Sequence, residues 1–344
     1  MNERYQKDIE DILELPLSWE KLDNKTIFIT GATGLIGKAI IDIIMYRNKY
    51  KNSNCKIIAT SRKISNIKEK FTNYIGNENF VPFEYDVNNL LNINERIDYI
   101  INSASNTHPK SYANMPIQTI LTNILGLNNL LLFASKNKIQ RFVEVTTLEV
   151  YGKIDTFNTL IKEDDSGYIN CNTLRAGYPE SKRVAEALCN AYYEEFNLDF
   201  VIARPSRCYG PTVLKDDSKA TSQFIRKGLA NENIILKSLG NQVFSYCYMM
   251  DAASGILAIL LNGEVGEAYN ITDDKSVITL GNLAKEIAKN CGVKVVRDIP
   301  EEVEAKGFSN SEFSVLDTTK LKNIGWKSYT DIYTGINKTI NILK

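Results

Sequence analysis

A tyrosine and a lysine four residues apart, Tyr178 and Lys182 in the stretch GYPESK, are the first candidates for chemistry in this sequence. On a helix this spacing places both side chains on one face. An ammonium group beside a phenol favours the phenolate and lowers the pKa of the phenol. Such a tyrosine can take the proton of a hydroxyl group while hydride leaves the same carbon. The sequence holds 18 tyrosines, so a chance surface pair is the alternative interpretation.

The stretch TTLEVYG, residues 146 to 152, offers further reactive side chains at the end of an expected strand. The Thr147 hydroxyl could hydrogen-bond the same substrate oxygen that Tyr178 deprotonates. Glu149, two residues later, could serve as an acid or base in a second step. The alternative is a strand that ends in an ordinary turn.

A glycine-rich turn, ITGATGLIG at residues 29 to 37, has the spacing of a dinucleotide-binding loop. Gly31 allows a sharp turn, Gly34 allows backbone amides to approach a pyrophosphate, and Gly37 allows the helix to pack on the strand. The amides and the positive dipole end at the start of that helix favour an anion. The alternative is a tight turn without a ligand. The other cofactor candidates in the turn are Thr33, Leu35 and Ile36.

Short apolar runs alternate with amphipathic stretches up to about residue 205, which predicts a doubly wound parallel sheet covered by helices on both faces. The expected strands are TIFIT, KIIAT, FVPFEYDV, IDYIINSAS, RFVEVTT and DFVIARP, and the expected helices follow Gly37 or cover 112 to 137 and 179 to 196. The fold class is therefore α/β, with a Rossmann-like domain over residues 1 to 205. Residues 206 to 344 are expected to form a smaller C-terminal substrate lobe, with 246 to 260 returning to the first domain.

Composition limits the partners of the chain. Its 344 residues include 41 basic and 41 acidic side chains, so there is no electrostatic basis for binding nucleic acid or an anionic membrane. The six cysteines are scattered and no histidine cluster accompanies them, so we expect neither a metal site nor a disulfide framework. Apolar runs such as ILAILL are much shorter than the roughly 20 residues that span a bilayer. We expect a cytoplasmic protein whose partner is a small molecule.

The glycine-rich turn, TTLEVYG and Tyr-x-x-x-Lys, in this order, resemble the extended short-chain dehydrogenase/reductase family, which includes nucleotide-sugar epimerases, dehydratases and decarboxylases. The resemblance covers nearly the whole chain from about residue 25, and SKRVAEALCNAYY is similar to UDP-glucuronate decarboxylases. It implies an enzyme that uses bound NAD or NADP to oxidise the C4 hydroxyl of a nucleotide-diphosphate sugar and then acts on the ketone. It also implies a homodimer built from the helix at 112 to 137 and the Tyr178 helix.

The resemblance assigns further contacts. Asp86 and Val87 correspond to an adenine-contacting pair, and Asn123 lies in a matching T-N-x-x-G pattern. Further cofactor candidates after the fourth expected strand are Ser103, Ala104 and Ser105, and Tyr178 and Lys182 also face the cofactor. The substrate candidates are His108, Thr147, Arg207 and Gln223, and the catalytic candidates are Thr147, Glu149, Tyr178 and Lys182.

Two departures from the family pattern bear on the reaction. Leu148 stands where the dehydratases have the aspartate that protonates the leaving hydroxyl, which argues against simple dehydration. Decarboxylases carry a C-terminal arginine that receives the substrate carboxylate, and the stretch 307 to 317 has none, which argues against decarboxylation.

Two further departures bear on phosphate recognition. Phe244 replaces a common arginine and Arg207 replaces a common asparagine, so we expect Arg207 to bind the diphosphate in place of an arginine at position 244. The alternative is a surface arginine. Ser61 and Arg62 stand where an acidic residue would hold the ribose of NAD. A hydroxyl and a cation suit a 2′-phosphate, which favours NADP over NAD, although a solvated Arg62 is the alternative.

The residues that remain, Thr147, Tyr178 and Lys182, suffice to remove hydride from C4 and return it, so we expect a nucleotide-sugar epimerase. Glu149 keeps a 4,6-dehydratase or a uronate decarboxylase open as alternatives. A net NADP-dependent dehydrogenase or reductase is a further alternative. A dinucleotide-binding sensor without catalysis is the last, and the three retained residues argue against it because a sensor needs only the glycine turn.

Overall fold

The structure is a computed structural model that describes residues 2–107, 114–154, 159–214, 217–298 and 313–344. Its central sheet is built from β1 (Thr26–Thr30), β2 (Lys56–Ser61), β3 (Phe80–Glu84), β4 (Tyr99–Asn102), β5 (Arg141–Val145), β6 (Phe200–Pro205) and β10 (Ala268–Ile271). These seven strands lie in the order β10, β6, β5, β4, β1, β2, β3, and every neighbouring pair is parallel. The predicted α/β fold with a parallel Rossmann-like sheet is thereby confirmed.

Helices cover both faces of this sheet. The helices are α1 (Glu3–Leu13), α2 (Leu35–Lys51), α3 (Ile64–Lys70), α4 (Pro116–Leu121), α5 (Leu127–Asn137), α6 (Gly177–Phe196), α7 (Ala220–Leu229), α8 (Met249–Asn262), α9 (Leu280–Cys291), α10 (Thr319–Asn323) and α11 (Ile332–Leu343). Along β1, Ile27 and Ile29 face the core formed with α2 and α8, whereas Phe28 faces the core formed with α5 and α6. Both faces of the strand are therefore apolar, as expected for a parallel sheet.

The helical segment from Pro116 to Asn137 is continuous, but its middle turn, Thr122–Gly126, is a π-helix between α4 and α5. By length and composition alone, this segment of 22 residues is apolar enough to cross a membrane, and 44% of its most apolar window is buried inside the protein. Leu127, Leu130 and Leu131 of α5 lie in the sheet core. The segment therefore packs against the protein along one side and exposes apolar residues along the other.

After β6 the chain builds a smaller group of strands and also returns to the main sheet. β7 (Arg207–Tyr209) and β13 (Phe313–Ser314) pair in parallel with β9 (Val243–Tyr248), and β11 (Val277–Thr279) pairs antiparallel with it. β8 (Ile234–Leu236) pairs with β12 (Val295–Arg297). α8 packs against α2, and β10 extends the main sheet beside β6. Since the later chain supplies part of the main sheet, the division at residue 205 stays a prediction about domains.

The parallel register brings the carboxyl ends of the strands to one edge of the sheet, where ligands bind in folds of this kind. The glycine-rich turn follows β1, Ser61 ends β2, and Ser103 follows β4. Thr147 follows β5 and Arg207 follows β6. Residues that are far apart in the sequence therefore meet at this carboxyl edge.

Candidate active site

The glycine-rich turn lies directly against the end of β4. Gly31 has a φ of +64°, and a Cβ built on it would lie 2.6 Å from the carbonyl oxygen of Ser103. A Cβ on Gly37 would collide with the Gly31 carbonyl oxygen. Thr33 lies in the same turn and is partly exposed. Glycine is required at both positions because the chain turns back closely on itself and on β4.

The start of α2 is suited to an anion. Its N-cap residue, Gly34, provides no side-chain cap, so the first-turn amides of Leu35, Ile36 and Gly37 have no side-chain acceptor among the described residues. A Cβ on Gly34 would meet the Gly31 carbonyl oxygen, at 3.1 Å, and no other atom of the described chain within 4 Å, so these amides can be approached closely. The free amides and the helix dipole fit the pyrophosphate of a dinucleotide.

Thr30, the last residue of β1, fastens the glycine turn to β4. Its Oγ1 accepts hydrogen bonds from the amides of Ser103 and Ala104, at 3.1 and 3.2 Å. The same hydroxyl donates to Oδ1 of Asn102 at 2.6 Å, and the Ser103 hydroxyl donates to the Thr30 carbonyl at 2.6 Å. Ser103 and Ala104, both predicted to contact the cofactor, therefore lie directly beside the turn.

The residues predicted to hold the adenosine lie at the ends of β2 and β3. Ser61 Oγ accepts from the Lys63 amide at 3.5 Å, and Arg62 is exposed. Asp86 Oδ1 accepts hydrogen bonds from the Asn88 backbone at 3.0 Å and the Asn88 side chain at 2.8 Å. Val87 is buried. Arg62 forms no ion pair within the described ranges, so its guanidinium is available to an anionic ligand.

Asn123, a predicted cofactor residue in the π-helix, bridges three elements. Its Oδ1 accepts from the Ser105 hydroxyl at 2.8 Å, and its Nδ2 donates to the Ser181 hydroxyl at 2.9 Å. Ser181 in turn donates to the Tyr178 carbonyl at 2.8 Å. Asn123 is 2% exposed. The π-helix therefore presents a buried amide that ties the end of β4 to the first turns of α6.

Tyr178 and Lys182 are both buried in the first turns of α6. Thr147 has an extended backbone, and its Oγ1 accepts from the Glu149 amide at 3.3 Å, which caps the 3₁₀-helix Leu148–Tyr151. This 3₁₀-helix packs against α6, the helix that carries Tyr178 and Lys182, and Lys182 Nζ reaches the Val145 carbonyl, two residues before Thr147. The elements that carry the predicted hydroxyl, phenol and ammonium are therefore in contact at the carboxyl end of β5.

Lys182 has a partner that was not among the predicted site residues. Its Nζ donates to Oε1 of Glu144 at 2.9 Å and to the Val145 carbonyl at 2.8 Å. Glu144 is fully buried within β5, and its Oε2 accepts from Asn102 Nδ2 at 2.6 Å. Burial raises the pKa of Glu144, and the attraction of Lys182 opposes that shift. Hydrogen bonds therefore connect Lys182, through Glu144 and Asn102, to the end of β1.

Glu149 is held by an arginine. Nη2 of Arg175 lies 2.7 Å from each carboxylate oxygen of Glu149. Arg175 belongs to the 3₁₀-helix Leu174–Ala176, immediately before α6. The pair joins the loop after β5 to the start of the tyrosine helix, and both oxygens of Glu149 are engaged by Arg175.

Arg207 lies against Phe244, because β7 pairs with β9. Its guanidinium carbon is 3.5 Å from the centroid of the Phe244 ring, and its Nη1 is buried without a hydrogen-bond partner in the part of the chain that the structure describes. Burial lowers the pKa of Arg207, and Tyr246 and Glu149 counteract it. A buried donor without a partner is costly. A phosphate oxygen would satisfy it, so the geometry fits the expected diphosphate contact.

The remaining substrate candidates are less informative. Gln223 is exposed on α7 and donates to the Ser218 carbonyl at 2.6 Å. His108 lies outside the described residues, as do residues 307 to 312 of the stretch that lacks the decarboxylase arginine.

Two charged residues at this site were missed at the level of sequence. Glu144 had a signal, because it interrupts the apolar run RFVEV of a strand expected to be buried on both faces. Arg175 had none, because its pairing with Glu149 spans 26 residues and depends on the folded loops.

A sequence profile of the NAD dependent epimerase/dehydratase family matches residues 27–272. The chain therefore belongs to this family of NAD-dependent enzymes that modify nucleotide sugars. The turn, the Tyr178 helix and the TTLEVYG segment all lie inside the matched range.

Individual relatives act in different ways. The chain is 29% identical over 324 residues to UDP-glucuronic acid decarboxylase 1 of Xenopus tropicalis, covering 94% of this chain and 73% of the relative. Its fold matches the dTDP-glucose 4,6-dehydratase DesIV of Streptomyces venezuelae, with NAD and TYD bound, at a TM-score of 0.79, 22% identity and coverage of 92% and 96%. It also matches UDP-glucuronic acid 4-epimerase of Bacillus cereus, in complex with UDP-glucuronic acid and NAD, at 0.78, 20% identity and coverage of 92% and 98%.

The arrangement can perform proton transfer beside a hydride transfer. A dinucleotide would be held by the glycine turn and the start of α2, and when bound it would supply the hydride acceptor. Tyr178 would then remove the proton of a substrate hydroxyl, the Lys182 ammonium would stabilise the phenolate, and Thr147 would donate a hydrogen bond to the same oxygen.

We expect Arg207→Ala to raise the KM for the nucleotide sugar by about 10- to 100-fold with a smaller effect on kcat, because a charge-assisted hydrogen bond to phosphate contributes ~1.5–3 kcal/mol. The specific measurement is the affinity for the nucleoside diphosphate relative to the monophosphate, which should fall in this variant. Arg207→Lys, which keeps the charge and loses the planar fork, should lie between the two. An unchanged KM in Arg207→Ala would remove Arg207 from the substrate site.

Proposed function

We propose that the protein is a nucleotide-diphosphate-sugar 4-epimerase that acts by transient oxidation at C4. Tyr178, Lys182 and Thr147 provide the groups needed to remove and restore the C4 hydroxyl proton. The observation that carries this choice is the Glu149–Arg175 ion pair, in which both carboxylate oxygens lie 2.7 Å from one guanidinium nitrogen. With both oxygens engaged by Arg175, this carboxylate is held by the protein rather than presented to the substrate for a second proton transfer.

The neighbouring residue supports the same choice. Leu148 is buried and apolar at the position of the dehydratase acid, so it cannot protonate a leaving hydroxyl. Epimerisation needs neither a leaving-group acid nor a carboxylate receptor. The residues present therefore suffice for this reaction and lack parts of the others.

A uronate decarboxylase is the second candidate, and two observations favour it. The curated relative from Xenopus tropicalis is a UDP-glucuronic acid decarboxylase. Arg175 also places a cation beside Glu149, where a substrate carboxylate could exchange with the Glu149 side chain. The two candidates differ in whether carbon is lost from the sugar.

For the cofactor we propose NADP in preference to NAD, within a family that is NAD-dependent. An NAD enzyme usually places an acidic residue at the end of the second strand to hold the ribose hydroxyls. Here Ser61 ends β2 and the exposed Arg62 follows. A carboxylate at this position would repel a 2′-phosphate, whereas a hydroxyl and a guanidinium can bind it.

We propose that the protein is a homodimer through α4, the π-helix and α6. Gly177 at the start of α6 packs so closely on α4 that a Cβ there would lie 2.9 Å from the Ile120 side chain. The two helices thus share a surface, and it exposes large apolar side chains. These are Ile117, Leu121 and Leu125, at four-residue spacing, with Leu174 and Val184. A second copy of the same apolar face is self-complementary, which accounts for the apolar character of the 116–137 helix without a membrane.

The epimerase proposal predicts a product of unchanged mass, with altered ring couplings at C4, when the enzyme is incubated with UDP, GDP, CDP and dTDP sugars. Product should form without added cofactor.

Tyr178→Phe should lose about 100-fold or more in kcat, as expected for removal of a general base. Tyr193→Phe, on the same helix, should keep wild-type turnover, and Glu149→Gln should retain substantial activity. Mass spectrometry and NMR of the sugar give both readouts.

Other products would point to other reactions. Release of carbon dioxide, with activity abolished in Glu149→Gln, would establish the decarboxylase. Loss of water would establish a dehydratase, and a change of two hydrogens would establish a net dehydrogenase or reductase.

Isothermal titration of cofactor-free protein should show tighter binding of NADP than of NAD. Arg62→Ala should weaken NADP about tenfold and leave NAD nearly unchanged, because only NADP carries the 2′-phosphate. Tighter binding of NAD to the wild-type protein would reverse the preference.

The combined change Ile117→Lys and Leu125→Glu should convert the dimer to a monomer, since it places charges in a desolvated apolar contact. Sedimentation velocity measures the oligomeric state. Tyr333→Lys, at an exposed aromatic residue on α11, is the control and should leave the dimer intact. A wild-type protein that sediments as a monomer at micromolar concentration would exclude this interface.

A further inference from the structure

Glu144 is an acidic residue at a buried strand position, where an apolar side chain is usual. It lies within β5, is fully buried, and has Val143 and Val145 as its neighbours in the strand. Moving two charges out of water costs more free energy than a buried ion pair usually returns, so an apolar side chain would serve stability at least as well. Packing alone therefore does not explain why a carboxylate is present at this position.

Its contacts point to Lys182. The ammonium group of Lys182 has three N–H donors, of which one binds Glu144 at 2.9 Å and one binds the Val145 carbonyl at 2.8 Å. Within the described residues, the third donor has no partner. Tyr178 lies one helical turn earlier on the same face of α6. Glu144 therefore helps to fix the position of the ammonium on the helix face that also carries the phenol.

The contacts of Glu144 also reach the cofactor turn. Asn102 donates to Glu144 Oε2 at 2.6 Å and accepts from the Thr30 hydroxyl at 2.6 Å. Thr30 is followed by Gly31, the first glycine of the turn. Lys182 is therefore placed relative to the same loop that holds the dinucleotide.

Three titratable groups among the described residues interact electrostatically with Glu144. Lys182 and Glu186 act on the pKa of Glu144, and Glu144 acts on the pKa of Cys189. Glu186 is itself paired with Arg204, whose Nη2 lies 2.6 Å from it, and burial raises the pKa of the Cys189 thiol so that it stays neutral. An ammonium promotes ionisation of a nearby phenol only as far as its charge is not already compensated. Glu144 supplies that compensation.

We propose that Glu144 is a positioning residue, which holds Lys182 in place and limits, through its charge, how readily Tyr178 ionises. The proposal rests on the proposed role of Tyr178 as the base. Glu144 keeps the acidity of the Tyr178 phenol lower than it would otherwise be, so loss of the carboxylate should make the phenol more acidic.

The test is an NMR titration of protein carrying tyrosine labelled at Cζ, with Tyr178→Phe used to assign the Tyr178 resonance. Glu144→Gln should lower the pKa of Tyr178 by about one unit, which is a tenfold change in the ratio of phenolate to phenol at fixed pH. Glu144→Leu, which fills the site with an apolar side chain, should lower it in the same direction. Glu144→Asp keeps the charge and should stay near the wild-type value.

Glu186→Gln is the matched control, because it also removes a carboxylate near β5, but one that pairs with Arg204. It should shift the Tyr178 pKa much less than Glu144→Gln does. The proposal fails if Glu144→Gln and Glu144→Leu both fold and leave that pKa unchanged or raised, or if Glu186→Gln shifts it equally. It also fails if neither Glu144→Gln nor Glu144→Leu folds, because the carboxylate would then be required for structure.

The titration needs no substrate, so its result is independent of which sugar is converted. Once a substrate is known, the acidic limb of the kcat profile in Glu144→Gln should move to lower pH by the same amount. A shifted Tyr178 pKa without any turnover of nucleotide sugars in the wild type would instead count against the proposed reaction.

Discussion

The constraint on which the rest of the structure depends is that the parallel sheet is buried on both faces. Phe28 on one face of β1 and Ile27 and Ile29 on the other have no exposed surface. Polar side chains inside such a sheet must be fully paired, so open polar groups are confined to the ends of the strands. The carboxyl edge accordingly collects the glycine turn, Thr147 and Arg207. The candidate binding and catalytic residues are therefore found at this edge.

Glu144 is a charged side chain inside the buried sheet, and it meets the requirement that such a group be fully paired. Both of its oxygens are hydrogen-bonded, one to Lys182 and the other to Asn102. Those partners come from α6 and β4, so a single carboxylate fixes two elements relative to β5. Satisfying a buried charge therefore orders the same lysine that the site needs.

The strands of the sheet and the glycine turn could be predicted from the sequence, because apolar runs and glycine spacing follow from local steric requirements. Gly31 illustrates this, since its positive φ and its contact with Ser103 leave room for no other residue. The π-helix was not predicted, because a 122–126 turn with an extra residue does not change the apolar pattern around it. The pairing of Glu149 with Arg175 was not predicted either, because periodicity does not indicate which loop residues meet after folding. Local sequence patterns therefore predicted the helices and strands, whereas the ionic contacts at the site could be seen only in the folded structure.

Arg207 and Phe244 depart from the family pattern, and the structure places them in contact. β7 and β9 run in parallel with Arg207 opposite Tyr246, so Phe244 lies two residues along the neighbouring strand. The guanidinium stacks on the Phe244 ring at 3.5 Å, a favourable cation–π distance. An arginine at position 244 would bring two like charges to this contact. An aromatic ring at 244 therefore suits a guanidinium at 207, because it supports the cation without repelling it.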